Sequence, residues 1–136
     1  IDESYNASPA AMRAAIAVLG RIPAGKGGRR IAVLGDMREL GVDADRLHAE
    51  LATALAAAGV DLLFCCGTHM RVLAEAAAAQ MPVEHAADSA ALLPRVLSAV
   101  GAGDVVLVKG SLGSRMAPIV DAVKGLGRGA RAANGS

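Results

Sequence analysis

The chain has 136 residues, 54% of them hydrophobic, and a formal net charge of +1. That length fits one domain and buries a core without help from disulfides or metals. The small net charge, with one Tyr, one Phe and no Trp, speaks against a nucleic-acid surface that needs basic patches and stacking rings. No apolar run is long enough for a membrane span, so the chain reads as soluble.

Ile1-Asp2-Glu3 has neither an initiator Met nor a basic start before an apolar core, which suggests a piece of a longer protein and not a signal peptide. Ser4 to Ala7 reads as a strand end entering a loop. Ser8-Pro9 then supplies an N-cap and a Pro at the first helical position, predicting a helix to about Leu19 with Gly20 as its stop. Pro23 to Gly28 is a polar connection, and Arg30 to Gly35 a strand. A helix from about Asp45 to Ala58 is closed by Gly59. Asp61 to Cys66 is a strand, Thr68 to Gln80 a helix and Pro82 to Ala86 a short strand. Asp88 or Ser89 caps a helix to about Val100. Asp104 to Val108 is the most β-branched run and reads as a central buried strand, and Ser114 to Lys124 forms the last helix.

Short β-type runs alternating with Ala-rich helical runs predict an α/β fold, a three-layer Rossmann-like domain with a mainly parallel sheet flanked by helices. Residues 1–124 make up this domain. From Gly125 to Ser136, Gly, Arg, Ala and Asn without periodicity read as a flexible tail. Cys65 and Cys66 are neighbours on a strand, where side chains point to opposite faces, so they are expected as buried free thiols in a reducing compartment.

In such sheets ligands bind where strands deliver their carboxyl ends to loops. Three loops carry polar residues there: Glu3 to Asn6, Gly35 to Glu39, and Lys109 to Arg115. In the first, a carboxylate and an Asn amide suit ribose hydroxyls or a base edge, with Tyr5 packed on a ring; a cap at Ser8 and a packed Tyr5 explain the run equally well. The second is no phosphate cradle, because acidic groups sit where backbone N–H groups would meet phosphate. Asp36 and Glu39 there suit an ammonium group and Arg38 a carboxylate, with a charged turn as the plain alternative. In the third, Lys109 and Arg115 near a helix start favour an anion over a lysine merely reaching to solvent. His48, His69 and His85 show no metal-ligand spacing, and His48 reads as a packed or capping histidine.

At these three loops the sequence resembles the C-terminal domain of the Mur ligase family. The family's Asp-Asp-Ser-Tyr-Asn-Ala-Asn-Pro appears as Asp2 to Pro9, followed by Met12. Its Val-Leu-Gly-Asp-Met-x-Glu-Leu-Gly appears as Val33 to Gly41, with His48 seven residues on, and Leu-Val-Lys-Gly-Ser is intact as Leu107 to Ser111. Two departures stand out: Glu3 replaces the second Asp, and Leu112 stands where many members carry Arg, leaving Arg115 as the nearest replacement for that charge.

The resemblance implies an ATP-dependent, cytoplasmic peptide ligase of three domains in peptidoglycan synthesis. It would join D-alanyl-D-alanine to UDP-N-acetylmuramoyl-tripeptide through an acyl phosphate. An N-terminal domain would hold the UDP-sugar, and a central domain the P-loop, Mg2+ and most of the ATP. The C-terminal domain would close over both and exclude water. By the same resemblance Glu3, Tyr5 and Asn6 would face the nucleotide. Asp36, Arg38, Glu39, Lys109, Ser111 and Arg115 would face the substrates. With no Gly-Lys-Thr/Ser sequence in this chain, catalysis by this domain alone is not expected.

Competing readings are a sister Mur ligase or folylpolyglutamate synthase, which usually carry His where Asn6 stands and lack the Gly-Asp-Met-x-Glu-Leu-Gly run. A stand-alone nucleotide-binding or receiver-like module is the alternative of another class. The first version of it wants G-x-G-x-x-G, which is absent, and the second an acidic cluster of which Asp36 is the only trace.

Overall fold

The computed structural model describes residues 7–126 and the backbone of Arg131–Asn134. Strands and helices alternate: α1 (Pro9–Arg21), β1 (Arg30–Gly35), α2 (Ala44–Ala57), β2 (Leu62–Cys66), α3 (Met70–Ala77), β3 (Val83–Ala86), α4 (Ser89–Ala99), β4 (Val105–Lys109), α5 (Ala117–Leu126) and β5 (Arg131–Asn134). The sheet runs in the order β3-β2-β1-β4-β5, and every pairing is parallel. This is the expected α/β, Rossmann-like arrangement. The strand end expected at Ser4 lies outside the described residues.

Alternation along the strands builds two cores. Ala32, Leu34, Leu63, Cys65, Val105 and Leu107 face α1, α2 and α3, whose apolar stripes supply Met12, Ile16, Leu19, Leu51, Leu55 and Leu73. Ile31, Val33, Phe64, Cys66, Val106 and Val108 face α4 and α5, which bury Leu92, Val96, Ile119 and Val123. Chain order explains the split. From β1 to β3 the strands step one way, with α2 and α3 on one face. The chain then returns to the other side of β1, and right-handed crossovers in that direction put α4 and α5 on the opposite face. The reversal leaves a switch point between β1 and β4, where such folds bind ligands.

Several boundaries follow local chemistry. Ser8 caps α1, its hydroxyl accepting from the Ala11 N–H at 3.1 Å, with Pro9 in the first turn. Gly59, at φ +70°, follows the end of α2 as expected. Gly20 does not stop α1, which runs on to Arg21. It is small for packing instead: a Cβ there would lie 2.9 Å from the Ala58 Cα at the end of α2. The last helix starts at Ala117 and not Ser114, because Leu112–Ser114 form a 3-10 turn and Arg115 is left-handed at φ +53°. It ends at Leu126, and β5 pairs with β4 inside the stretch read from sequence as a tail. Arg131-Ala132-Ala133-Asn134 lacks the β-branched apolar run that marks β1 and β4 in the sequence.

Both cysteines are free and buried on opposite faces of β2, as their adjacency predicted. Burial pushes both thiols up to about 12, so neither is a reactive thiolate.

At the edge where the strands begin, Asp104 is 3% exposed and ties two loops together. Its carboxylate accepts from the Arg29 N–H at 2.8 Å and the Gly101 N–H at 2.7 Å, with the half-exposed Arg29 guanidinium at 3.5 Å. Asp104→Ala strands these backbone donors and is expected to cost about 2–3 kcal/mol in chemical denaturation. Asp104→Asn, which keeps an acceptor oxygen, should cost clearly less. Equal, small losses for the two variants would show that the carboxylate does not hold these loops.

Candidate functional site

At the carboxyl edge, the ends of β1 and β4 lie side by side, and two glycines let their loops touch. A Cβ on Gly35 would lie 2.6 Å from the Ser114 Cβ, and one on Gly110 would lie 3.0 Å from the Gly35 Cα. The approach lets the Asp36 carbonyl accept from the Ser111 N–H at 3.1 Å and from the Ser114 hydroxyl at 3.2 Å. The Ser111 and Ser114 hydroxyls are themselves 3.1 Å apart. Two of the loops singled out by sequence, after β1 and after β4, are thus one structural unit.

The side chain of Asp36 turns towards β2 and α3. Its carboxylate accepts from the His69 N–H at 3.2 Å and the Met70 N–H at 2.9 Å. It therefore caps a helix that has no side-chain cap of its own. Gly67, at φ +109°, makes room: a Cβ there would be 2.4 Å from the Asp36 Cγ. This explains why α3 starts at Met70 and not near Thr68. The cap comes from a distant loop, which local sequence does not announce. The ammonium-orienting role expected of Asp36 competes with this duty.

Met37 is held from the other side by His48, which is fully buried. The His48 Nε2 accepts from the Met37 N–H at 3.0 Å, and Nδ1–H donates to the Ala44 carbonyl at 2.6 Å. The two bonds require the neutral, Nδ1-protonated ring. Burial lowers the His48 pKa, against partial support for the charge from the Ala44 carbonyl, Asp36 and Asp45. The ring stacks on His69 with centroids 5.2 Å apart. His48 is the packed histidine that the sequence suggested.

A pocket of about 260 Å³ opens at this edge, lined by Asp36, Arg38, Cys66, Gly67, Ala87, Asp88, Ser111, Gly113 and Ser114. Its size is close to the low end, about 300 Å³, of usual small-molecule sites. It unites Asp36, Arg38 and Ser111 from the sequence prediction. It also adds Asp88, which sequence showed only as the cap of α4. That cap is real, accepting from the Ala91 N–H at 2.8 Å. Its position just after a strand end was the available signal for a second role. The pocket presents a guanidinium and two carboxylates, charges that suit a small zwitterion.

The other predicted residues are placed differently. Glu39 and Arg115 are exposed and do not line the pocket. Both have left-handed backbones, φ 60° and 53°, which cost a non-glycine residue roughly 1–2 kcal/mol. Such strain gathers at working edges of folds. Lys109 is 4% exposed, and strand alternation puts it on the face of Val105 and Leu107, towards α1. The pocket, with Cys66 and the start of α4, lies towards the opposite face. Lys109 and Ser111, neighbours in the motif, therefore serve different sides of the sheet edge. Leu112 is 57% exposed. Glu3, Tyr5 and Asn6 lie outside the described residues. Among the described residues no cluster of three or more His, Cys, Asp or Glu side chains is placed to hold a metal ion. Among them, too, no helix is long and apolar enough to cross a membrane.

Comparison with known proteins bears on the family and the fold. Residues 1–112 match the family profile described as "Mur ligase, glutamate ligase domain". The UDP-N-acetylmuramoyl-tripeptide–D-alanyl-D-alanine ligase of Escherichia coli K12 is 35% identical over 126 residues, covering 91% of this chain and 26% of that protein. The MurF ligase of Thermotoga maritima, solved in complex with ADP, superposes with a TM-score of 0.70 at 27% identity, over 90% of this chain and 27% of that one. A MurF structure from Acinetobacter baumannii gives a TM-score of 0.74 at 27% identity, over 89% of this chain and 27% of that one. The chain thus spans about a quarter of the length of these relatives. On the profile match, this chain belongs to the Mur ligase family, of which it carries the glutamate ligase domain.

Proposed function

We propose that this chain is the C-terminal domain of a cytoplasmic, ATP-dependent ligase that joins D-alanyl-D-alanine to UDP-N-acetylmuramoyl-tripeptide during peptidoglycan synthesis. The observation that carries the reading is the charged pocket at the β1–β4 switch, in a chain 35% identical over 126 residues to a ligase of that name. Arg38 and Ser111 would take the dipeptide carboxylate, and the acidic wall its ammonium group. Lys109, on the α1 face, would meet the reacting phosphate or a substrate carboxylate, with Glu39 and Arg115 at the exposed rim. Glu3, Tyr5 and Asn6 would contact the adenosine part of ATP. Support for nucleotide use comes from the relative solved with ADP. Other domains of the longer enzyme would hold the UDP-sugar, the ATP phosphates and Mg2+.

Chemically, the domain's task is positioning. In the reaction the tripeptide carboxylate becomes an acyl phosphate, the dipeptide amine attacks its carbonyl carbon, and phosphate leaves. A rigid pocket that delivers the amine in line and keeps water out raises the rate by orientation, and limits hydrolysis of the acyl phosphate.

The test offers the full-length enzyme UDP-N-acetylmuramoyl-tripeptide and ATP with D-alanyl-D-alanine, L-lysine, meso-diaminopimelate or D-glutamate in turn. Product is expected with the dipeptide alone, and none from residues 1–136 by themselves, because phosphoryl transfer needs cradled phosphates and Mg2+. Preference for another amine, or ligation by the isolated chain, would overturn the assignment.

A further inference from the structure

We propose that His48 is the positioning residue of this site: in its neutral form it holds residues 36–38 in working geometry, and its protonation releases them. What those residues bind rests on the ligase reading above; the lock itself rests on the contacts.

Residues 36–38 are the point where three parts of the fold meet. The Asp36 carboxylate caps α3, and its carbonyl holds Ser111 and Ser114. The Arg38 guanidinium lies over Gly113, 3.1 Å from where a Cβ would stand. Between them, the Met37 N–H is tied to α2 by His48 alone among the hydrogen bonds described. His48 and Met37 are 0% and 1% exposed, so water does not substitute for that bond without opening the loop. Among the described residues Met37 has no local partner in a turn or helix, which makes the imidazole its substitute for secondary structure.

Protonation puts an N–H on Nε2, facing the Met37 N–H at what is now 3.0 Å. Two donors then meet head to head, while Nδ1–H keeps its bond to the Ala44 carbonyl. The ring stays on α2, and the loop must leave. The charged surroundings come from three elements: Asp36 from the loop after β1, His69 at the start of α3, and Asp45 on α2 itself. The two carboxylates favour the imidazolium, and the stacked His69 and, above all, burial oppose it. The folded-state pKa therefore lies below the ordinary value of about 6.5. The sign follows: the stability supplied by neutral His48 is present above about 6.5 and is lost as pH falls through the folded value.

The experiment compares full-length wild-type enzyme with His48→Gln, whose amide oxygen accepts from Met37 without titrating. The readout is the ratio of their kcat/KM for D-alanyl-D-alanine against pH, which cancels every proton the two enzymes share, including that of the substrate amine. The ratio should be flat near neutrality and fall about tenfold per pH unit once His48 protonates. A ratio flat throughout the acid range overturns the proposal. A second measurement needs no variant: hydrogen exchange of the peptide containing Met37, corrected for the intrinsic pH effect, should rise at the same pH in the wild type. Unchanged protection there sinks the lock even if His48→Gln fails to fold. A wild type that ligates no dipeptide at any pH, yet shows the exchange transition, would refute the ligase reading and leave the lock standing.

Discussion

Lys109→Ala in the full-length enzyme is expected, on the proposed ligase function, to lower turnover, or raise the dipeptide KM, by well over tenfold while leaving the UDP-tripeptide KM almost unchanged. Lys109 ends β4 beside Leu34 of β1, at the point where the sheet changes direction, and is almost fully buried. An ammonium is rarely buried to that extent unless it is paired. If it meets a phosphate or carboxylate that docks on closure, deletion leaves that anion poorly compensated, at a cost of several kcal/mol in the transition state. The sugar nucleotide would be held by another domain, so its constant should not follow. Lys109→Met is the informative companion, because it keeps most of the volume and removes the charge. Loss of activity in both variants, with melting temperatures close to wild type, marks a charge used in the reaction. Full activity in Lys109→Met would mark a packing residue, and a shift mainly in the UDP-tripeptide constant would show that this edge serves the other substrate.

Gly67→Ala is expected to have the largest effect on stability, about 2–4 kcal/mol. Two costs combine. The backbone at φ +109° lies outside the region that L-residues tolerate, which is worth about 1–3 kcal/mol. The new methyl would also stand 2.4 Å from the Asp36 Cγ, displacing the carboxylate that caps α3, and lost caps cost about 0.5–2 kcal/mol. Gly101→Ala is the control, since nothing lies within 4 Å of a Cβ there, and it should stay within about 0.5 kcal/mol of wild type. Denaturant titration measures both, and hydrogen exchange at the first turn of α3 should report the lost cap in Gly67→Ala. Similar stabilities for the two variants would mean that neither the backbone strain at position 67 nor the Asp36 cap contributes.

Parts of this protein were legible in the chain. Ser8-Pro9 announces α1, the Arg30 to Gly35 run is β1 to the residue, and Asp88 caps α4. These signals are local: a cap binds N–H groups three residues away, and a buried parallel strand must be apolar on both faces. The motif loops were legible too, because polar residues just after apolar strands serve no packing need. Their grouping was not. The sequence sets Lys109 and Ser111 together, yet strand alternation sends Lys109 towards α1, while Ser111, past the end of β4, lines the pocket beside α4. Asp36 reads as a ligand group, and only the fold shows that a glycine 31 positions on makes room for it to cap α3. Gly20 reads as a helix stop and is instead the contact with α2, and β5, without a β-branched residue, does not read as a strand. Local sequence determined the helices because their hydrogen bonds and caps close within a few residues, and the buried strands because they must be apolar on both faces. The site was decided by tertiary structure, because the bonds of Asp36 to Ser111, Ser114, His69 and Met70 join segments that only the order of the strands brings together.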